Sequence, residues 1–260
     1  MRDFFPFIVA GLTAGSLTGM ASLGLVLTLR TSGIFNFAHG SVAAVGAYAF
    51  WELHTNHGLS WPLALFVCLA VVGPIMGVFL ELLARRLALV SVLMQVIATV
   101  GLLLAIQGIA FLRYGVVTRM APTFLPDSTI DVAGARVGYD QLITVAIGLA
   151  SVTLLYGILK FTRLGVAMRG VVDAPTLFAL TGRTPVRVRR WAWMIGCSFA
   201  VLSGVLLTPV LGLDATLLTL LVVQAFGAAA LGRFEGLVHA YVGGLTIGVV
   251  AALSTKYIAT

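Results

Sequence analysis

The chain has 260 residues, of which 60% are hydrophobic and only 10% are charged, and its mean hydropathy is +1.09. Because soluble domains carry about 25% charged residues, this composition excludes a water-soluble fold and predicts a protein embedded in membrane lipid. The net charge of +7 does not indicate a nucleic-acid partner, since the basic residues fall in the gaps between apolar stretches, where they set membrane topology.

A membrane-spanning helix needs about 20 apolar residues, so the chain has room for seven or eight membrane segments. In chain order the apolar stretches are 6–29, 37–51, 61–83, 90–112, 139–161, 191–213, 217–231 and 237–253. The first is too long for the core of a signal peptide and is expected to be a retained span. The second and seventh have about 15 residues each and the eighth is only slightly longer, which is typical of tilted, broken or re-entrant segments. We therefore expect an all-α fold, a polytopic transmembrane helical bundle that forms a single domain over residues 1–260.

Glycines recur at four-residue spacing in three of the stretches. They are Gly11, Gly15 and Gly19, then Gly73 and Gly77, and finally Gly244 and Gly248. In lipid there is little hydrophobic attraction between helices, so small residues at this spacing promote association by letting two backbones approach closely. The pattern predicts tight helix packing and by itself says nothing about transport.

Two polar side chains, Asn36 and His39, lie at the entrance to the short second stretch. We expect Asn36 to cap the helix that follows, because an unpaired amide is costly in a membrane, and Gly40 to let another backbone come close. A single histidine is more often a structural residue than a ligand-binding one. The motif is therefore interpreted first as architectural and second as the lining of a gate.

Few other polar groups occur inside the stretches. Gln95 and Thr99 lie one helical turn apart on a shared face of the fourth stretch, and Gln107 and Gln224 add two further amides. Such groups either hydrogen-bond between helices or line a polar path, and both interpretations are kept. The candidate translocation path consists of Asn36, His39, Gln95, Thr99 and Gln224.

The sequence holds no motif for catalysis or for a cofactor. It lacks a GxxxxGK[ST] phosphate loop, an HExxH motif and a GxSxG motif, and no acidic residue lies deep within a span. Glu81 precedes Arg85 by one helical turn and is predicted to form an interfacial ion pair. Cys68 and Cys197 are expected to be small core residues rather than a disulfide or a metal pair. We therefore expect neither an enzyme nor a metal site, and any energy from ATP must come from a separate subunit.

The Lys and Arg residues are distributed unequally between the two sides. If all eight stretches cross, one side receives 11 of the 16, and cytoplasmic loops hold such an excess. The loop 160–190 is then cytoplasmic and the N-terminus is outside. The sizeable outer loop 113–138 contains a segment, 131–137, that is expected to form a small hairpin.

The cytoplasmic loop contains one short helical signal. Asp173 is expected to cap a helix of about eight residues whose first turn includes Pro175, and Gly182 is expected to end it in the left-handed conformation. Three apolar side chains would be presented at the membrane face, namely Leu177, Phe178 and Leu180. The helix either binds a partner protein or rests on the lipid headgroups, and the residues alone do not choose between the two.

Three runs resemble the LivH/LivM family, the permeases of ABC importers for branched-chain amino acids. The runs are Ser-Gly-Ile-Phe-Asn-Phe-Ala-His-Gly at 32–40 followed by Gly-Ala-Tyr at 46–48, the loop segment 165–182, and the Gly-rich segment 227–244. Their order and spacing match the family over nearly the whole chain. The resemblance implies that the loop segment contains a coupling helix that docks into an ATPase subunit. Its residues would be Asp173, Ala174, Pro175, Thr176, Leu177, Phe178, Ala179, Leu180 and Gly182.

The resemblance also implies a function. The chain would be the membrane-spanning permease subunit of an importer in a bacterial inner membrane, translocating branched-chain amino acids or related small polar solutes by ATP-driven alternating access. The implied partners are ABC ATPase subunits, a second permease, for which the family pattern favours a paralogue, and an extracytoplasmic solute-binding protein. An ion-coupled secondary transporter is the alternative. Family members usually continue with another apolar helix, so a chain ending at Thr260 is consistent with a shortened form, a natural short form or half of a fused permease.

Overall fold

The computed structural model describes residues 4–258 except residues 121, 122, 127, 133, 134, 181 and 183. Within these residues the chain forms eleven α-helices and one two-stranded hairpin. The helices are α1 Phe5–Ser32, α2 His39–Trp51, α3 Trp61–Val67, α4 Gly73–Leu87, α5 Val92–Tyr114, α6 Tyr139–Phe161, α7 Arg163–Asp173, α8 Pro175–Leu180, α9 Pro185–Leu211, α10 Ala215–Leu231 and α11 Leu237–Ile258. The π-helical turn Cys68–Val72 joins α3 to α4, and the turn Glu52–Asn56 continues α2.

Six helices of the described part are long and apolar enough to cross a membrane. They are α1, the joined α3 and α4, α5, α6, α9 and α11. The last stretch was expected to be short, and this prediction is wrong, because α11 has 22 residues. The fold is thus that of a polytopic helical membrane protein, and α2 and α10 remain the short helices at 13 and 17 residues.

The centre of the bundle is α1, which packs against α9, α10 and α11 and is the most deeply buried of the long helices. Its glycines meet the glycines of α11, as predicted. A Cβ atom added to Gly15 would lie 2.7 Å from the Cα of Leu245 and 2.8 Å from the carbonyl oxygen of Gly244. On the other side, a Cβ on Gly77 would lie 2.5 Å from the Cα of Met194 on α9. These backbones therefore approach as closely as the absence of side chains allows.

Most basic residues gather at one end of the bundle, here named the basic end. Arg30 at the end of α1 lines one groove with Arg189 at the start of α9, and another with Lys160 at the end of α6 and Arg169 on α7. The last turn of α4 reaches the same end, since its Glu81 pairs with α9. The helices thus share the alternating directions that the charge count predicts, and the basic loops lie together.

The segment 33–38 turns back from the basic end into the bundle. It brings His39 beside the middle of α1, where the imidazole Nε2 lies 3.0 Å from the carbonyl oxygen of Ala21. From there α2 runs to the opposite end, where Trp51 packs under the guanidinium of Arg119 at 5.4 Å. The second stretch is therefore a half-length helix with a re-entrant entry. By contrast, α10 begins beside Thr118 at the opposite end, and the turn after it reaches Arg30 at the basic end, so its 17 residues run the length of the bundle.

The opposite end carries the predicted hairpin. Strand β1, Thr129–Val132, pairs antiparallel with strand β2, Ala135–Gly138, with Thr129 facing Gly138 in register. Val137 is buried against the bundle. A bridge between Arg119 and Leu213 ties the preceding segment to the turn between α9 and α10. The expected hairpin is confirmed, and it caps this end of the molecule.

Candidate functional site

The first element of the site is α7, a helix that the sequence analysis did not predict. Thr162 occupies its N-cap, and its hydroxyl accepts a hydrogen bond from the backbone N–H of Gly165 at 3.2 Å. One face of α7 is buried at Ala167, Met168 and Val171. The signal was present in the sequence, because a Thr cap precedes apolar residues at helical spacing. It was hidden by the glycines and arginines of the same run.

The second element is α8, which follows α7 after a single residue. Asp173 does not cap it, because Asp173 is the last residue of α7, and the N-cap position is held by Ala174, whose carbonyl oxygen accepts from the backbone N–H of Phe178 at 2.9 Å. Pro175 begins the helix, where its missing N–H is not needed. Gly182 has a φ of 77°, the left-handed conformation that was predicted. The helix has six residues rather than about eight.

The apolar side chains of α8 point in two directions. Leu177 is 64% exposed and Leu180 is 83% exposed. Phe178 is half-buried and packs against α7, where a Cβ on Gly170 would lie 2.9 Å from its ring. The expectation that Phe178 is presented outward is therefore wrong, because its ring lies against Gly170 of α7. Two leucines, not three apolar residues, form the outward face.

A groove of about 420 Å³ separates α8 from the body of the bundle. Thr176 and Ala179 line it from α8, Val171 lines it from α7, and Pro185 and Arg189 line it from the start of α9. This arrangement holds α8 at the surface with one side toward the bundle and the other toward solvent. A short helix seated in this way can transmit a displacement to α7 and α9, because both touch it.

Near this surface a buried acid anchors the end of α4. Glu81 is 1% exposed, and its carboxylate accepts from Arg85 Nε at 2.5 Å and from Arg85 Nη2 at 2.7 Å. Arg190 Nε, at the start of α9, lies 3.5 Å from the same carboxylate. The predicted ion pair is confirmed and has an additional partner on a second helix. It therefore joins α4 to α9 at the basic end.

The polar residues proposed for a path do not form a continuous lining. Asn36 is 2% exposed, and neither atom of its amide has a hydrogen-bond partner among the described residues. It does not cap α2, whose N-cap is Ala38, so that prediction is wrong. The physical reason is that Asn36 lies three residues before the first helical residue, His39, and so two positions before the N-cap, too early for its side chain to reach the free N–H groups. His39 is likewise buried and bonded through one nitrogen, with its Nδ1 unpaired within the described part.

The remaining polar residues hydrogen-bond to a neighbouring helix or to nearby backbone. Thr99 is buried on α5, and its hydroxyl lies 3.3 Å from the carbonyl oxygen of Phe35 in the re-entrant segment. Gln95, one turn earlier, donates to the carbonyl oxygen of Val90. Gln224 is exposed on α10 and accepts from the hydroxyl of Thr18 at 3.2 Å. Gln107 joins α5 to α10 through a bond to Thr216 at 2.9 Å. The structure thus brings Thr99 close to the segment that holds Asn36, and it places Gln224 elsewhere.

No group of three or more potential metal ligands occurs among the described residues. Cys68 and Cys197 are both buried and unpaired with each other. His54 bonds through Nδ1 to the carbonyl oxygen of Leu59 at 2.8 Å.

Comparison with known proteins identifies the family. The sequence profile described as "Branched-chain amino acid transport system / permease component" matches residues 7–260. The chain belongs to this family. This chain has six helices, among the described residues, that are long and apolar enough to cross a membrane. It is therefore a multi-pass membrane protein and, as a family member, a permease component of a transport system rather than an enzyme.

Individual relatives agree with the family assignment. The probable LivH permease of Methanocaldococcus jannaschii is 29% identical over 256 residues, which cover 94% of this chain and 79% of the relative. LivH of Escherichia coli K12 is 26% identical over 99% of this chain and 88% of its own length. BraD of Pseudomonas aeruginosa is 28% identical over 94% of this chain and 84% of its own length. All three are named as branched-chain amino acid transport permeases. No solved structure matches the chain.

Proposed function

We propose that this chain is the membrane-spanning subunit of an ABC importer in a bacterial inner membrane, and that it carries branched-chain amino acids or related small polar solutes. Its partners would be ABC ATPase subunits, a second, paralogous permease and an extracytoplasmic solute-binding protein. The family membership and the names of the relatives support the substrate class. In this proposal residues 1–260 act as one permease domain, and ATP is hydrolysed only in the partner subunits.

The observation that carries the proposal is the outward apolar face of α8. Leu177 and Leu180 project from the basic end on a six-residue helix that has cations around it but no lipid-length apolar face. Two neighbouring exposed leucines surrounded by polar groups at the basic end are suited to burial by a partner protein. An ATPase subunit that receives α8 in a pocket would bury both.

The sidedness of the bundle supports the same assignment. The basic end holds Arg30, Lys160, Arg169 and Arg189, and cytoplasmic ends of membrane proteins are enriched in such residues. ATP is available only on the cytoplasmic side, so a helix that couples to an ATPase must lie there. The N-terminus and the hairpin β1–β2 would then face the extracytoplasmic solute-binding protein.

Force applied to α8 has a short route into the bundle. Phe178 packs on α7, Val171 of α7 lines the groove beside α9, and Glu81 joins the start of α9 to α4. Closure of two ATPase subunits would move α8 and, through these contacts, shift α9 against α4 and the re-entrant segment. Alternating access would follow from the changed separation of the two permeases, with Asn36, His39, Gln95, Thr99 and Gln224 as the candidate polar positions along the route.

An ion-coupled secondary transporter is less well supported. Proton coupling usually requires an ionisable group at mid-membrane depth. Among the described acids, Glu81 is the deeply buried one, and it is held by Arg85 near the end of a helix. Its charge is neutralised locally, so it is a structural anchor rather than a proton carrier.

The test is a double substitution on the outward face of α8. Leu177→Asp with Leu180→Asp should abolish co-purification of the ATPase subunits, because two charges would enter the partner's pocket. It should also reduce ATP-dependent uptake in reconstituted vesicles at least tenfold. Membrane insertion and thermal stability of the permease should not change, since both side chains are exposed.

The matched control is Met120→Asp, which changes an 88% exposed apolar residue at the opposite end. It should leave ATPase binding intact. Normal ATPase binding by the α8 variant would contradict the docking assignment. Uptake that persists without ATP and follows an imposed ion gradient would instead support the secondary transporter.

A further inference from the structure

A second cavity at the basic end lies next to the α8 groove and shares Arg30, Thr31 and Val172 with it. It has a volume of about 640 Å³ and is enclosed by the ends of α1 and α6, by α7 and by the start of α11. No part of the coupling mechanism uses it. Its lining residues are Leu27, Arg30, Thr31, Tyr156, Leu159, Lys160, Met168, Arg169, Val172, Asp173, Gly236, Leu237, Val238 and His239.

The polar part of this cavity is predominantly cationic. Arg30, Lys160 and Arg169 contribute three fixed positive charges, against one carboxylate from Asp173. Arg30 and Arg169 each donate one guanidinium N–H to a main-chain carbonyl oxygen, that of Glu235 and that of Leu159 respectively. A guanidinium has five N–H donors, so these bonds fix the groups in place without using up their capacity. The rim is therefore suited to an anion with several acceptor oxygens.

The other part of the cavity is apolar and borders the membrane-spanning helices. Leu27, Leu159 and Leu237 form its wall below the cations. Tyr156 and Phe161 on α6 are exposed, and the Lys160 ammonium lies 5.3 Å and 5.4 Å from the centres of their rings. Aromatic rings beside a lysine at a helix end mark the level of the lipid headgroups. The cavity thus offers an anion site directly above an apolar wall.

We propose that this cavity binds the phosphodiester headgroup of an anionic phospholipid, with the acyl chains lying along α6 and α11. A phosphate supplies acceptor oxygens for the cations. An acyl chain covers the leucine wall, which a free phosphate would leave exposed to water. The apolar surface continues toward the membrane interior at Leu149, two turns before Tyr156 on the same face of α6, and at Val242, one turn after Val238 on α11; both are exposed. One amphipathic molecule therefore satisfies both halves of the cavity.

Occupancy of this site would brace the helix that carries α8. Met168, Val172 and Asp173 line the cavity from α7, and Asp173 is separated from α8 by only one residue. A bound headgroup would hold α7 against α1 and α6 and so limit its movement relative to the bundle. The lipid-binding inference does not depend on the ATPase partner, whereas this bracing role rests on the proposed function.

The experiment measures lipid retention by the purified full-length chain alone. Native mass spectrometry after extraction from vesicles of equal phosphatidylglycerol and phosphatidylcholine should show preferential retention of phosphatidylglycerol. Lys160→Gln should weaken that retention about fivefold, and adding Arg169→Gln should weaken it about 25-fold, since each cation near the headgroups contributes a similar factor. Lys160 donates to no main-chain carbonyl in the bonds described, so its variant tests the site without removing a structural bond.

The control pair is Arg86→Gln with Arg187→Gln, which removes two exposed cations from the basic end outside the cavity. Its phosphatidylglycerol retention should equal that of the unchanged chain. Equal losses in the cavity pair and the control pair would overturn the proposal, as would equal retention of the two lipids by the unchanged chain. Displacement of the lipid by millimolar inorganic phosphate would assign the cavity to a free anion instead. Because no ATPase is present, these outcomes are independent of the α8 test.

Discussion

The centre of the bundle and the α7–α8 pair at the basic end are built by opposite means. In the centre, α1 touches α11 through glycines, and Gly15 leaves no room for a side chain against Leu245. At the basic end, α8 packs a half-buried aromatic ring, Phe178, on α7, also touches the start of α9, and leaves its leucines exposed. The centre is held by contact between backbones, whereas α8 is held by few side chains and needs less free energy to open locally.

This difference indicates where a transporter of this kind can change shape. The two regions are linked by α9, which packs on α1 at its middle and receives α7, α8 and Glu81 at its start. A displacement that begins at α8 therefore reaches the centre as a movement of whole helices rather than as a local rearrangement. The predictions below test this contrast, beginning with the largest expected effect.

The strongest test of the rigid centre is Gly15→Leu. Its side chain would enter the backbone of α11, so we expect a loss of about 3 kcal/mol in the free energy of unfolding in mixed micelles. Gly101→Leu on α5 is the matched control, because nothing lies within 4 Å of a Cβ at that position. The control should change stability by less than about 0.5 kcal/mol. Equal effects at the two positions would show that the centre is not close-packed.

The link between the regions is tested by Glu81→Gln. Glutamine keeps one acceptor oxygen but removes the negative charge between Arg85 and Arg190, and we expect a loss of about 2 kcal/mol after allowing for the partial exposure of both arginines. Glu235→Gln, at an exposed acid of the same end, should have no measurable effect on unfolding. A Glu81 variant as stable as the unchanged chain would remove the proposed connection between α4 and α9.

The mobile region is tested by Phe178→Ala. Loss of a half-buried ring from the α7 surface should lower the free energy of opening α8 by about 1.5 kcal/mol. The change would be seen as faster amide hydrogen exchange confined to α7 and α8. Leu177→Ala, which truncates an exposed neighbour, should leave exchange unchanged. If both substitutions accelerated exchange across the centre as well, the two regions would behave as one unit.

Asp214 caps α10 at the opposite end, away from both regions, and provides a reference for the effect of a single cap on the free energy of unfolding. Its carboxylate accepts from the backbone N–H groups of Thr216 and Leu217 at 2.8 and 3.0 Å and from the hydroxyl of Thr118 at 2.8 Å. Asp214→Ala should therefore cost about 1 kcal/mol in the free energy of unfolding. The conservative variant, Asp214→Asn, should retain part of this, because an amide oxygen also caps a helix.

The pH dependence of that contribution follows from the same bonds. Partial burial alone would raise the pKa of Asp214, but the hydrogen bonds from Leu217, Thr118 and Thr216 outweigh it and hold the pKa below its ordinary value. The stabilisation is therefore complete above the ordinary pKa of an aspartate and is lost as the pH falls through the lowered one. Asp214→Asn should lack this loss of stability on acidification, and an identical acid profile would contradict the assignment.

Much of the membrane-embedded fold is predictable from sequence because lipid leaves few alternatives. Hydropathy located five of the six long helices, and the spacing of Gly11, Gly15 and Gly19 predicted a close helix contact, although not its partner, α11. Charge asymmetry anticipated which loops gather at one end. The length of α11 was misjudged because polar residues near Thr255 interrupt the apolar run without ending the helix.

The candidate site was less predictable, since its details depend on neighbours that are distant in sequence. The left-handed Gly182 follows from local preference alone, and it was found. The inward position of Phe178 depends on the presence of α7, and the unpaired state of Asn36 depends on where α2 begins. Glu81 was paired correctly with Arg85, four residues away, whereas Arg190 on another helix could not be inferred from spacing.

The half-length helix α2 has a consequence for biosynthesis. Its seat is formed by α9, where Ala43 abuts Gly204, and by α10, where Gly40 abuts Thr219. Both receiving helices are translated long after α2 has left the ribosome. A nascent chain that stops before α10 therefore lacks one of the two main surfaces against which α2 packs, so α2 completes its packing only after α10 has been made.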